Sequence, residues 1–254
     1  MLKNEGKLPT HLLIGERKSG TSWIWKQLVE HPEIFVHPEK EVHFFDKNYQ
    51  AGLGWYRKNF NTNARVIVDC TPDYFNKNCM KKIVCDLSRA KLFCCIRNPL
   101  DRAFSHFKFG KFIGNLGDEN FIEVWRRDWN QVRTRGQYDI HLSSYLQHYD
   151  LNKNLLVLVY DDMVNKKSVF LDSIYDFLGV PRIRGKFFDE HVMPGPDVFW
   201  KKTNLKNDRK TAYDHFYCDL KMSNQDRLEL RDYYAPHLKN LTAILDRDFS
   251  DWYS

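Results

Sequence analysis

Two stretches of this 254-residue chain combine residue types that bind anions. In the first, the apolar run His11-Leu12-Leu13-Ile14-Gly15 leads into Glu16-Arg17-Lys18-Ser19-Gly20-Thr21-Ser22, and a helix is expected from Thr21 onward. A strand, a short polar loop and a helix start gather backbone N–H groups, the positive end of the helix dipole and the Thr21 and Ser22 hydroxyls around one point. Gly15 and Gly20 let the backbone turn tightly there. Against the phosphate-loop pattern G-x-x-x-x-G-K-[ST], both glycines and Ser22 match, but Thr21 holds the lysine position and the lysine comes earlier, at Lys18. The loop therefore reads as an anion site unlike a standard nucleoside triphosphate loop. The plain alternative is a tight turn with solvated Arg17 and Lys18. Two basic residues inside a glycine frame favour the anion.

The second stretch, Lys91-Leu92-Phe93-Cys94-Cys95-Ile96-Arg97-Asn98-Pro99-Leu100-Asp101-Arg102-Ala103-Phe104-Ser105, repeats the strand, turn and helix order. Arg97 leaves the strand at its carboxyl end, where open α/β sheets bind ligands, and Ser105 follows about two helical turns later. A guanidinium and a hydroxyl so placed can hold a second phosphate. An Arg97–Asp101 pair with an incidental Ser105 explains the same residues equally well when the motif is taken alone.

The elements that position these residues are legible from apolar runs. His11–Gly15, Arg65–Asp69, Lys91–Ile96 and Asn154–Tyr160 are continuously apolar rather than alternating, as expected of parallel strands covered on both faces. Helical patterns lie between or beside them at Thr21–Glu30, Leu100–Phe112, Tyr138–Tyr149 and Ser168–Leu178, the last ending at Gly179. Ser223–Leu245 reads as one or two closing helices, with Ser223 as N-cap and Pro236 as a break. Strands alternating with helices predict a three-layer α/β fold around a central, mainly parallel sheet, in one domain spanning residues 1–254.

Composition narrows the function classes. The hydrophobic share is 43% and the aromatic share 15%, enough for a large core. No apolar run approaches the roughly 20 residues of a membrane-spanning helix, and no secretion signal is visible, so a cytoplasmic protein without a membrane partner is expected. The six cysteines show neither C-x-x-C spacing nor a zinc pattern, and no metal site is expected. A net charge of +6 suits an anionic ligand but identifies none, and no nucleic-acid motif accompanies it.

Together the two anion motifs resemble the sulfotransferases that use 3′-phosphoadenosine 5′-phosphosulfate (PAPS). The segments Lys40-Glu41-Val42-His43-Phe44-Phe45-Asp46, Gly52-Leu53-Gly54-Trp55-Tyr56 and Thr71-Pro72-Asp73-Tyr74-Phe75 are similar to those of heparan sulfate glucosaminyl 3-O-sulfotransferases, N-sulfotransferases and related bacterial sulfotransferases. The resemblance runs from about Leu12 to Trp252 and implies the sulfotransferase fold. It implies that Arg17, Lys18, Ser19, Gly20, Thr21 and Ser22 bind the 5′-phosphosulfate, and that Arg97 and Ser105 bind the 3′-phosphate. Glu41 matches the base that takes the acceptor's proton, with His43 and Asp46 beside it in the acceptor site. Lys18 matches the lysine that stabilises the leaving phosphate, in a scheme that requires no metal.

The chain departs from the heparan-type pattern in two places. Cys70 replaces a lysine that contacts sulfated sugar, and the C-terminal cysteine pair is reduced to Cys218. Lys206, Arg209 and Lys210 are candidates to close over the nucleotide, and Trp200 to line a pocket. The expected activity is sulfuryl transfer from PAPS, leaving 3′-phosphoadenosine 5′-phosphate (PAP), to a hydroxyl of a glycan or small metabolite. The alternative is a nucleotide-dependent phosphotransferase with Asp69 as its metal-binding acid.

Overall fold

The computed structural model describes residues 6–189 and 220–253. Two compact units divide the chain: Met1–Ile96 with His141–Val192, and Arg97–Ile140 with Met193–Ser254.

The first unit is built on five strands, β1 (His11–Gly15), β2 (Ile34–Val36), β3 (Val66–Cys70), β4 (Lys91–Ile96) and β5 (Leu155–Val159). They form one sheet in the order β2-β3-β1-β4-β5, and every pair is parallel. Both faces are buried. Leu13, Val68, Phe93 and Cys95 join a core with Trp23, Ile24, Leu28, Phe170, Leu171 and Ile174, while Leu12, Ile14, Ile67, Leu92 and Cys94 on the opposite face are also shielded from water. This is why the strands read as unbroken apolar runs. Around the sheet run α1 (Thr21–Val29), α2 (Gly52–Lys58) and α3 (Lys77–Asp86), and later α7 (Tyr160–Asn165) and α8 (Lys167–Leu178). The α8 helix stops at Gly179, whose φ of 68° is the left-handed conformation expected of a terminating glycine.

Strand order explains where ligands can reach this sheet. From β1 the chain fills one side with β2 and β3, then crosses to place β4 on the other. The reversal leaves a crevice beyond the carboxyl ends of β1 and β4. Beside β4 the register of β1 shifts between Leu13 and Gly15, and Glu16 N–H donates to the Cys95 carbonyl at 2.8 Å. The loop after β1 is thereby anchored to the neighbouring strand.

The second unit holds α4 (Pro99–Phe112), α5 (Phe121–Arg126), the first turn of α6 (Tyr138–Tyr145) and α9 (Asn224–Leu245). Ser223 caps α9 by accepting from Asp226 N–H at 3.0 Å. Pro236 does not break this helix, contrary to the sequence expectation. Proline deprives the carbonyl four residues earlier of its partner. That residue, Asp232, is exposed, so water can satisfy the carbonyl. The α6 helix ends at Tyr145 rather than Tyr149, and the chain continues in turns bonded to the Tyr145 carbonyl. Cys70, Cys79, Cys94 and Cys95 are buried free thiols, and Cys85 is an exposed one. No helix among the described residues is long and apolar enough to cross a membrane.

Candidate functional site

The loop after β1 leads directly into the N-terminus of α1. Gly20 at the N-cap of α1 has φ 83°, no side chain caps the helix, and the first turn carries no acidic residue. The free N–H groups and the dipole of α1 are therefore available to an anion. A Cβ at Gly20 would run into the Met163 side chain, and one at Gly15 into Phe75, so both glycines serve close packing as well as the turn. Lys18 also takes a left-handed backbone, at φ 67°. Thr21 and Ser19 are buried; Lys18 and Ser22 are partly exposed. The Ser19 hydroxyl has no hydrogen-bond partner among the described residues.

A second segment stands against this loop. Lys40 Nζ donates to Thr21 Oγ1 at 3.4 Å, to Ser22 Oγ at 3.3 Å and to Glu41 Oε1 at 2.9 Å. Glu41 and His43 lie at φ 74° and 55°, a region costly for residues with a Cβ. His43 pairs through Nδ1 with Asp46 Oδ2 at 2.8 Å and through Nε2 with Glu41 Oε2 at 3.3 Å. Burial disfavours the charged Glu41, but Lys40 and His43 outweigh it and hold the carboxyl below its ordinary range. For His43, burial likewise opposes charge, yet the bonds to Asp46 and Glu41 prevail and raise its pKa to about 9.

The backbone of this segment is held from β3. Asp69 is fully buried and accepts hydroxyls from Tyr56 at 2.6 Å, Thr71 at 2.7 Å and Tyr74 at 2.9 Å. Tyr74 OH in turn accepts Phe44 N–H at 2.8 Å, and Thr71 Oγ1 accepts His43 N–H at 3.4 Å. Burial raises the Asp69 pKa above the ordinary carboxylate range, and the three hydroxyl donors oppose that rise only in part. Asp69 is therefore an internal brace for the Glu41 segment. The metal-binding role considered for it from sequence would require a carboxylate open to a nucleotide-bound ion, and this one is closed off.

Two side chains of the family-like segments to which no role was assigned, Lys40 and Asp73, complete the arrangement. Asp73 takes the Arg17 guanidinium, so Arg17 braces the loop through its side chain. Asp73 also lies 3.7 Å from His43 Nδ1. Glu41, His43 and Asp73 bring ligand-type atoms within 4.8 Å of one another. Lys40 already neutralises Glu41 and Arg17 already neutralises Asp73, which makes this an ion-pair network. Neither Lys40 nor Asp73 belongs to a spacing pattern that marks it. The adjacency of Lys40 to Glu41 was the available signal, and adjacent residues in a chain seldom point to a common partner.

Arg97 and Ser105 belong to the second unit. Ser105 is buried on α4; Arg97 is partly exposed, and its carbonyl accepts Tyr138 OH at 2.7 Å. Trp200, Lys206, Arg209 and Lys210 lie outside the described residues.

Comparison with known proteins gives the arrangement a family. The family described as "Sulfotransferase domain" matches residues 8–215. Mouse heparan sulfate glucosamine 3-O-sulfotransferase 3A1 is 26% identical over 275 residues, covering 98% of this chain and 66% of the relative, so the chain spans just under two thirds of that protein. Among solved structures, a sulfotransferase from Alicyclobacillus acidocaldarius superposes with a TM-score of 0.76 at 20% identity, covering 98% of this chain and 100% of the other. Mouse sulfotransferase SULT7A1 complexed with PAP superposes with a TM-score of 0.51 at 16% identity, covering 91% and 90%. With its all-parallel sheet, its uncapped helix start after the first strand and a family match across most of its length, the chain belongs to the sulfotransferase family.

Proposed function

We propose that the chain transfers a sulfuryl group from PAPS to a hydroxyl of a glycan or small metabolite, with Glu41 as general base. One observation carries the reading: the Glu41 carboxylate stands beside an uncapped helix N-terminus and shares the Lys40 ammonium with Thr21 and Ser22 of the anion loop. Sulfuryl transfer, by analogy with phosphoryl transfer, needs positioned positive charge for the donor and a proton acceptor for the attacking hydroxyl. Both stand together here.

The loop suits an anionic nucleotide. Its buried Ser19 hydroxyl lacks a partner among the described residues, and its helix end carries no acid that would compete. When bound, PAPS supplies the sulfuryl group. Lys18, Ser19, Gly20, Thr21 and Ser22 are assigned to its 5′ end, with Arg17 bracing the loop through Asp73. Arg97 and Ser105 are assigned to the 3′-phosphate, and Lys206, Arg209 and Lys210 to closure over the nucleotide. Glu41 takes the acceptor's proton, and His43 and Asp46 hold Glu41 and orient the acceptor. A solved relative holds PAP, which supports the nucleotide, and a curated relative named for heparan sulfate supports a glycan acceptor.

Titration calorimetry with PAP, against ATP and without magnesium, tests the donor. PAP binding with ATP clearly weaker is expected; preference for Mg-ATP overturns the reading. Glu41→Gln tests the base. Turnover should fall about 100-fold or more, the scale of general-base catalysis, while PAP affinity survives. Full activity in that variant removes Glu41 from the role. Turnover should be unchanged by a chelator.

A further inference from the structure

Lys40 occupies a position that the proposed reaction does not yet use. An ammonium has three donors and no acceptor, and all three have an oxygen within reach: Glu41 Oε1 at 2.9 Å, Ser22 Oγ at 3.3 Å and Thr21 Oγ1 at 3.4 Å. The Lys40 side chain is 6% exposed, so water does not replace these partners. The contact to the carboxylate is short and charge-assisted, and the two to the hydroxyls are longer and weaker. A hydroxyl oxygen that accepts from Lys40 must direct its own proton elsewhere. Thr21 and Ser22 are thereby set to donate toward an anion at the start of α1.

We infer that Lys40 is a positioning residue that couples the donor loop to the base: it is shared with Glu41 while the loop is empty, and an anionic donor draws it toward the loop and frees the carboxylate to accept a proton. The inference rests on the donor reading above. Lys40 and His43 touch the Glu41 carboxylate, Asp46, Lys47 and Asp73 stand against His43, and the Cys70 thiol lies near Glu41 at the end of β3. The Cys70 thiol is pushed well up by burial and stays neutral. Lys40 makes the closer contact with the carboxylate, 2.9 Å against 3.3 Å for His43 Nε2, while the other His43 nitrogen is held by Asp46. Withdrawal of Lys40 therefore changes the carboxylate more than any other rearrangement in the segment. The coupling gives the reaction an order, because the base reaches full strength only once the donor is in place.

The test follows the Glu41 carboxyl by carbon NMR titration, with and without PAP, in wild type, Lys40→Met, Lys40→Gln and Lys40→Arg. Thermal unfolding checks that each variant folds, and Lys40→Gln serves where Lys40→Met does not. In wild type, PAP should raise the Glu41 midpoint by at least one pH unit. In Lys40→Met the midpoint should start higher and PAP should move it less than half as far, with PAP binding weakened at least fivefold. Lys40→Arg should restore both. An equal PAP-induced shift in wild type and Lys40→Met, or unchanged PAP affinity, overturns the coupling and leaves the donor reading intact. Absence of PAP binding by wild type overturns both.

Discussion

Glu41 and His43 illustrate how little a residue's type says about its strength as an acid or base. The first is a carboxyl held below its ordinary range and the second an imidazole raised to about 9, each by the other and by Lys40 or Asp46. Proton NMR of the His43 ring should show it protonated at neutral pH, and Asp46→Asn should lower its midpoint by a unit or more. The folded value lies above the ordinary imidazole value of 6.5, so the ion pair contributes stability that is complete below pH 6.5 and is lost as pH rises through about 9. The stability gap between wild type and Asp46→Asn should accordingly close between pH 6.5 and 9. Asp69 makes a different prediction, since its three hydroxyl donors lose their shared acceptor in Asp69→Leu. That variant should lose about 2–4 kcal/mol in denaturant unfolding, the scale of leaving several buried hydroxyls without their acceptor. Equal stability would mean the brace is dispensable. The reactive types at Glu41, His43 and the loop were legible in the chain. Lys40, Asp73 and the Asp69 brace were not, because their roles depend on partners brought together by β3 and on left-handed backbone at Glu41 and His43.

At the scale of elements, legibility followed length and punctuation. The strands β1, β3, β4 and β5 stood out as apolar runs, and α8 by its terminal Gly179. The three-residue β2 was too short to show a period, although Ile34 and Val36 are buried like any central strand. The α3 helix is announced by Asn76, which accepts N–H from Asn78 and Cys79 at 3.0 Å each, and α5 by a capping box between Asn120 and Glu123. The six residues of α5 are too few to show a period, whereas α3 does carry an apolar stripe at helical spacing, Cys79, Met80 and Ile83. Pro236 taught the reverse: a helix breaker is overruled where burial of Leu230, Tyr234, Leu238 and Leu241 along one face rewards continuity. Proline still costs helix stability there. Pro236→Ala should raise the unfolding free energy by about 1–3 kcal/mol, since Pro236 is exposed and its replacement restores one hydrogen bond. A lower value would show that the proline fixes a needed bend.

For the whole molecule, the sheet order and the net charge of +6 carry the consequences. The proposed donor is strongly anionic, and a basic protein attracts it over distances that salt screens. The PAP association rate in stopped flow should fall several-fold between about 0.01 M and 0.5 M salt, as the screening length drops below the reach of the field. An unchanged rate would assign the charge to solubility alone. The central place of β1 has a further effect, on biosynthesis. His11 pairs with Val68 on one side and Lys91 on the other, so the strand that carries the anion loop emerges from the ribosome well before either neighbour. Until Lys91–Ile96 has been translated, the nascent chain exposes an apolar strand with an open edge, the kind of surface that chaperones bind and aggregation exploits. The loop on which the proposed chemistry depends thus cannot take its final shape before the fourth strand arrives, and a prematurely terminated chain lacking β4 would be inert as well as unstable.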